Sequence, residues 1–363
     1  MSQFESIHIQ GFRRLVDVKL ALRPLMVMIG ANGCGKTSLL DAWRLLAKSA
    51  EGKLGDTLSL LGGLNEILTR PRPTGPKTAV LEFQVEFAKR VQQDGTPAES
   101  EYLLRIFPNG IGYRVEEAKQ TLLALFRNTK IKFLERSESK LSARSDDEGR
   151  FIRDLLSSMC FARPFELSQV RLPQSVRPST LPGEQGEALI ACLYSLRETD
   201  RDRFEVVEDT LRAAFPDFER LEFPPVAAGM LALAWKDRQF TQPIYMHQLS
   251  EGTLRFLWLT ALLLSRDLPA VTLIDEPEVS LHPELLSLLV DLMREASQRT
   301  QLIVATHSDR LIRFLKPEEV MVCDLEEGAA KFTWGDALDL QHWLEDYTLD
   351  QVWQMGVMGG RAS

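Results

Sequence analysis

The sequence predicts an α/β protein built around a glycine loop, and three observations lead to that class. A continuous apolar run, "LMVMIG" (25–30), passes directly into "GANGCGKTSLLDAWRLLA". That is the pattern of a strand buried on both faces, a glycine turn and a helix. Beyond Gln248 the apolar strands "AVTLIDE", "QLIVATHS" and "EVMVCDL" alternate with helical stretches, which predicts a parallel sheet covered on both sides. Between these regions "AVLEFQVEF" (79–87) alternates strictly, and "EYLLRIFPNGIGYRV" (101–115) reads as a hairpin turning at Asn109-Gly110, so an antiparallel portion accompanies the parallel one.

In chain order, "ESIHIQGFRRLVDVKLAL" (5–22) predicts a strand pair around Gly11, and the helix after the glycine loop has Leu39, Leu40, Trp43, Leu45 and Leu46 on its apolar side. After Glu116 the character becomes helical, interrupted by "SESKLSARSDDEGR" and by the proline-rich "RLPQSVRPSTLPGEQGE", both expected as mobile loops. A buried helix is expected from Thr253 to Ser265, and another over "PELLSLLVDLMREA" with Pro283 in its first turn. A short helix from Ser308 and a tail with Trp343, Tyr347 and Trp353 follow. There is no internal repeat and no heptad run. Three segments are expected: 1–116, carrying the glycine loop and the antiparallel strands; 117–235, an inserted helical lobe; and 236–363, completing one mixed central sheet with the first.

Composition restricts the partners. A chain of 363 residues with 44% hydrophobic and 26% charged residues is typical of a soluble globular protein. Its longest apolar stretch, "FLWLTALLL", has nine residues, against about 20 for a membrane span. With no basic start and apolar core at the N-terminus, a cytoplasmic protein with no membrane association is expected. Cys34, Cys160, Cys192 and Cys323 lack metal-site spacing, which argues against a zinc site or a disulfide framework. A formal net charge of −8 means that any nucleic-acid contact needs a local basic patch.

Gly30 to Thr37, "GANGCGKT", fits G-x-x-x-x-G-K-[ST] between a buried strand and a helix. In that pattern the backbone of Gly30, Ala31, Asn32, Gly33, Cys34 and Gly35, with the helix start at Ser38, surrounds phosphate oxygens with N–H groups. Lys36 reaches the β- and γ-phosphates and Thr37 holds Mg²⁺, so ATP and Mg²⁺ are the expected ligands. Asp275 ends an apolar strand, where it can bind Mg²⁺ through water, and the adjacent Glu276 can polarise the attacking water. His307 also follows an apolar strand directly and can hydrogen-bond the γ-phosphate. Ser250 and Gly252, in "LSEGT", start a helix. They are either an anion-binding helix terminus or an ordinary cap.

Taken together, "GANGCGKT", "LSEGT" (249–253), "LIDEPEVSLHP" (273–283) and "ATHS" (305–308), in that order, resemble the ABC-type ATPase heads of the RecF, SMC and OLD-like group. Glu251 and Thr253 depart from the common L-S-G-G-Q signature of that group, and no glutamine is assignable to its Q-loop. The resemblance implies a P-loop NTPase of ABC-ATPase type with catalytic Lys36, Glu276 and His307, and a D-loop at Glu278 to His282. It also implies a head-to-tail homodimer in which Ser250 and Gly252 bind the γ-phosphate held by the opposite subunit. A role on DNA, in repair, genome maintenance or phage defence, is implied in the same way, as is a separately encoded effector such as a Toprim-type nuclease.

Weaker candidates remain. Arg13 lies where related heads carry a basic residue near the nucleotide, and it and Arg14 also fit a solvated strand end. Cys34, beside Lys36, is either a redox-sensitive thiol or a substitute for serine. Arg127, Lys130, Lys132, Arg136, Lys140 and Arg144 face only Glu135 and Glu138 in their stretch, which suits a phosphate backbone or a solvated face. Asp324 and Glu326 alternate after a strand, but no third acidic partner for a nuclease metal pair is recognisable. The competing functions are an energising subunit of a membrane transporter, against which the "DEPEVSLHP" D-loop counts, and a nucleotide-gated scaffold with negligible turnover.

Overall fold

The protein is described from a computed structural model covering residues 3–70, 80–91, 97–109, 112–123, 139, 141–143, 147–163, 167–175, 177–227 and 229–360. It divides into two compact units, Met1–Met159 with Lys316–Ser363, and Cys160–Leu315. These limits rest on packing and differ from the three segments drawn from sequence character.

In the first unit an antiparallel sheet runs in the order Leu15–Ala21, Phe4–Phe12, Leu81–Phe87, Pro97–Asn109, and Gly112–Leu123 pairs with the last of these. Leu81, Phe83, Val85 and Phe87 are buried in strict alternation, because a pleated strand with one covered face turns every second side chain inward. That face packs on the helix Lys36–Ala50, whose Trp43 is fully buried and meets Phe4 edge-on at 5.5 Å. Leu25–Ile29 is buried at all five positions and pairs in parallel with Val320–Glu326, which in turn pairs antiparallel with Ala329–Trp334.

Two expectations about this unit change. The first hairpin turns at Arg13–Arg14, while Gly11 lies inside the strand Phe4–Phe12. The chain past Glu116, expected to be helical, continues the hairpin as a strand to Leu123, since pairing with Pro97–Asn109 satisfies its backbone groups.

In the second unit Val271–Asp275 and Gln301–Ala305 pair in parallel. Four main helices accompany them: Leu189–Thr199, Arg201–Ala214, Glu251–Leu263 and Leu286–Ala296. The helix expected from Thr253 starts two residues earlier, because Ser250 is its N-cap and accepts from Thr253 N–H at 3.1 Å. The segment 117–235 contains strands as well as helices. Phe218–Glu222, Ala234–Asp237 and Ile244–Tyr245 form a small antiparallel sheet around Trp235 and Phe218, whose rings lie 4.2 Å apart.

The proline-rich stretch 171–187, expected as a mobile loop, is fastened at several points. Gln174 Oε1 accepts from Ile190 N–H at 2.9 Å, Trp258 Nε1 donates to the Gly183 carbonyl at 3.1 Å, and the Ser265 hydroxyl donates to the Thr180 carbonyl. Of "SESKLSARSDDEGR", expected as the other mobile loop, Leu141–Ala143 form a 3-10 turn and the last four residues, 147–150, begin the helix Asp147–Ser157, while 137, 138, 140 and 144–146 lie outside the described residues. Among the described residues no helix is long and apolar enough to cross a membrane.

Trp43→Ala is expected to destabilise the protein by about 3–5 kcal/mol, since a large ring leaves a cavity that the surrounding strands and helix cannot fill. The midpoint of denaturant unfolding measures it, and a loss under about 1 kcal/mol would show that the sheet and helix collapse onto the vacated volume.

Candidate functional site

The glycine loop is shaped by its neighbours within the first unit. Gly30, Gly33 and Gly35 have φ of 153°, 74° and 124°, backbone that L side chains rarely adopt. A Cβ on Gly30 would lie 2.1 Å from the Cys323 carbonyl oxygen, whereas one on Gly33 would meet nothing within 4 Å. The loop is therefore packed at its base and open at Gly33. Lys36, 3% exposed, donates to the carbonyls of Gly30 and Ala31 at 2.6 and 3.0 Å.

The helix Lys36–Ala50 begins at Gly35 without a side-chain cap and without an acidic residue in its first turn. The helices starting after Asp200, Ser250 and Ser308 are capped by those side chains, whereas Leu189–Thr199 and Leu286–Ala296, like the loop helix, are not. An uncapped helix start beside a buried ammonium fits a polyphosphate, which supplies the missing acceptors. Thr37 is exposed at this end, so its hydroxyl suits the magnesium ion that accompanies a nucleotide triphosphate.

Cys34 and Cys323 are both buried, and all four cysteines are free thiols. Cys323 Sγ donates to the Cys34 carbonyl at 3.1 Å, and Lys36 Nζ lies 3.7 Å from Cys34 Sγ. A hydrogen bond with Cys323 foremost, helped by the Lys36 charge against the cost of burial, lowers the Cys34 thiol to about 6 and raises Cys323. The expected acidification is present, but burial shields Cys34 from solvent reagents.

Arg13 is directed to Asp41 on the loop helix, Nη1 to Oδ2 at 2.5 Å, and its guanidinium lies 5.3 Å from the Phe12 ring. Arg14 is exposed, and its carbonyl accepts from Ala330 N–H. Asp324 accepts from Gly360 N–H and Leu325 N–H, and Glu326 pairs with Lys331 at 2.9 Å. No group of three metal-ligating side chains occurs among the described residues. The basic residues Arg127, Lys130, Lys132, Arg136, Lys140 and Arg144 lie outside the described residues.

In the second unit, parallel pairing opposes Asp275 to Ala305, so the chain leaves both strands at the same end. Glu276 then takes φ 48°, with its N–H on the Ala305 carbonyl at 2.8 Å. Its Oε1 lies 3.6 Å from His307 Nε2, and both side chains are partly exposed. Asp275, Glu276 and His307 are thus gathered at one strand end. A partly exposed carboxylate beside an imidazole can take up and relay a proton.

Ser250, also in this unit, is exposed; its Oγ lies 3.1 Å from Thr253 N and 2.8 Å from Thr253 Oγ1. Gly252 packs against the turn after Glu276 so closely that a Cβ there would lie 2.4 Å from the Ser280 carbonyl oxygen. Ser280 Oγ in turn donates to Glu251 Oε1 at 2.7 Å. Glu251, which departs from the common signature, therefore has a partner in the turn after Glu276.

Three residues make contacts that the sequence did not assign to them. Glu278 Oε1 accepts from Thr306 Oγ1 at 2.6 Å and from His307 N–H at 3.2 Å. Arg255, 3% exposed, donates to the Glu276 carbonyl at 2.6 Å. Cys323 supports the glycine loop from a strand nearly 300 positions later. Only Arg255 carried a signal, a lone charge inside the apolar helical run "LRFLWLTALL".

Gly252→Ala is expected to cost about 1–3 kcal/mol, the usual effect of forcing extra volume into a packed contact. Denaturant unfolding reads it, and an unchanged midpoint would mean that the Ser280 turn moves aside freely.

Residues 25–313 match the AAA_21 family, described as "AAA domain, putative AbiEii toxin, Type IV TA system". Among solved structures, the chain is similar to an Smc head bound to the C-winged helix domain of ScpA, at 15% identity and TM-score 0.62, covering 91% of this chain and 97% of that one. It is also similar to an Smc head domain with an extended coiled coil, bound to the C-terminal domain of ScpA and derived from Pyrococcus furiosus, at 12% identity and TM-score 0.58, covering 98% of each. A third is an Smc head domain with a coiled coil and joint from Pyrococcus yayanosii, at 11% identity and TM-score 0.59, covering 95% of this chain and 99% of that one. At such identities the likeness shows the fold, that of an Smc head domain, and it agrees with the α/β class expected from the sequence. No curated protein matches the chain. By the match over most of its length, this chain belongs to the AAA_21 family of AAA domains.

Proposed function

We propose that the chain binds ATP with Mg²⁺ and hydrolyses it to ADP and phosphate, using the cycle to form and release a head-to-tail pair of its own copies. The observation that carries this reading is the gathering of Asp275, Glu276 and His307 at one strand end, fixed by the parallel register of Val271–Asp275 with Gln301–Ala305. It stands together with an uncapped helix start at Gly35 in the glycine loop.

In this reading the N–H groups of the Gly30–Gly35 loop and the Lys36 ammonium hold the β- and γ-phosphates, and Lys36 exchanges the carbonyls of Gly30 and Ala31 for phosphate oxygens. Thr37, and Asp275 through water, would hold Mg²⁺, which would supply positive charge to offset that of the γ-phosphate. Glu276 orients a water for in-line attack and accepts its proton as the bond from the γ-phosphorus to the bridging oxygen breaks. His307 hydrogen-bonds the γ-phosphate. The Ser250 hydroxyl has one hydrogen, which it shares with Thr253 Oγ1 or gives to a phosphate oxygen. In the pair, that hydrogen and the helix start at Gly252 bind the γ-phosphate held by the other copy.

The biological setting rests on the resemblance. We place the switch in DNA repair, genome maintenance or phage defence, working with a separately encoded effector such as a Toprim-type nuclease. Two of the similar heads are bound to domains of ScpA, which supports a protein partner. With a net charge of −8, contact with DNA would have to be local, and the basic residues between Arg127 and Arg144 are its candidate.

Lys36→Ala is expected to lower phosphate release about a hundredfold or more, because charge on the transferring group loses its main side-chain partner. Wild type no faster than Lys36→Ala would replace this reading with a nucleotide-gated scaffold. In gel filtration, Glu276→Gln should run as a dimer with ATP and as a monomer without it. Ser250→Arg should keep ATP binding yet lose both dimerisation and turnover. Normal turnover by Ser250→Arg would leave Ser250 as a helix cap only.

A further inference from the structure

The helix Glu251–Leu263 is buried at every position from Leu254 onward, and Arg255 is the one charged residue among those positions. Only 3% of it is exposed, and Nη2 donates to the Glu276 backbone carbonyl at 2.6 Å. An ion taken from water into the interior is costly unless its donors are well paired. Here the pairing is incomplete. Arg255 Nε and Glu278 Oε2 are both buried without a hydrogen-bond partner among the described residues, although Glu278 contributes the largest favourable charge interaction with Arg255. An arginine serving only as a buried ion pair would place its fork on that carboxylate.

What Arg255 does hold is the backbone of a strained turn. Glu276 has a positive φ of 48°, a conformation unfavourable for a residue with a Cβ and maintained only when its surroundings impose it. Three contacts impose it: Glu276 N–H on the Ala305 carbonyl, Val279 N–H on the Glu276 carbonyl, and Arg255 on that same carbonyl. The turn sets the direction in which the Glu276 carboxylate leaves the chain, and that carboxylate lies 3.6 Å from His307. Arg255 sits just over one helical turn after Ser250, and at the same helix start Glu251 accepts from the Ser280 hydroxyl while Gly252 packs against the Ser280 carbonyl.

We propose that Arg255 is a positioning residue for hydrolysis: it fixes the Glu276 turn so that the carboxylate is directed at the attacking water, and it ties that turn to the signature helix. The inference rests on the proposed ATPase activity. No bond to Arg255 forms or breaks; it acts through the Glu276 carbonyl.

The test uses the full chain and compares wild type with Arg255→Met, Arg255→Lys, Glu276→Gln, Lys36→Ala and the Arg255→Met/Glu276→Gln double variant. Phosphate release as a function of ATP concentration gives kcat and KM, a fluorescent ATP analogue reports binding, and thermal melting reports folding. Arg255→Met is expected to lower kcat by about tenfold or more while KM and nucleotide affinity stay within about twofold, the pattern of an interaction that matters only in the transition state. Arg255→Lys, which keeps a buried donor, should recover part of kcat. Added to Glu276→Gln, Arg255→Met should cause no further loss, as expected for residues acting as one unit.

A kcat within about twofold of wild type in Arg255→Met, or a further tenfold loss in the double variant, overturns the inference while leaving the ATPase reading in place. Should Arg255→Met not fold, Arg255→Lys decides: a drop in kcat of about threefold or more at unchanged KM supports positioning, and wild-type kcat overturns it. Wild type no faster than Lys36→Ala overturns the hydrolysis reading and this inference together.

Discussion

Five consecutive parallel pairs, from Val271 with Gln301 to Asp275 with Ala305, constrain everything chemical in the second unit. Parallel strands end together, so the residues following them emerge side by side. That is why a carboxylate at 276 and an imidazole at 307, distant in sequence, come within 3.6 Å. Because the strands are apolar and buried, the polar residues collect where burial stops. A slip of one residue would exchange inward and outward faces and send Asp275 and Glu276 apart from Thr306 and His307.

The turn leaving Val271–Asp275 is held from two sides. Thr306 and the His307 N–H fasten Glu278, while Arg255 holds the Glu276 carbonyl. On the outer edge Ser280 pairs with Glu251, and the Ser280 carbonyl lies against Gly252. The start of the signature helix and the acidic turn are consequently one packed object. Packed contacts of this kind shift between discrete arrangements rather than deform smoothly.

The glycine loop follows a different logic. Its base is closed by the strand Val320–Glu326, whose Cys323 carbonyl leaves no space for a side chain at Gly30 and whose Cys323 thiol donates a hydrogen bond to the Cys34 carbonyl. Its rim is open at Gly33, and the helix behind it has no side-chain cap. Rigid support below and an open helix start above are what a phosphate cradle requires. Cys34 shows how far chemistry and access can separate, since its thiol is acidified yet buried.

The sequence by itself determined the strand-loop-helix at Gly30–Thr37, the apolar strands ending at Asp275 and Ala305, and the alternating strand Leu81–Phe87, because each is a local pattern of burial and backbone freedom. It also determined which residue types could act as phosphate, metal and water ligands, since the pattern G-x-x-x-x-G-K-[ST] and a terminal carboxylate have few other uses. Tertiary structure alone decided that the hairpin strand continues to Leu123 and that Gly11 sits in a strand rather than a turn, because partner strands outweigh local propensity. It alone revealed what Glu251, Arg255, Glu278 and Cys323 do. Their roles are contacts to backbone and side chains elsewhere in the chain, and pairing at a distance leaves no periodic trace in the order of the residues.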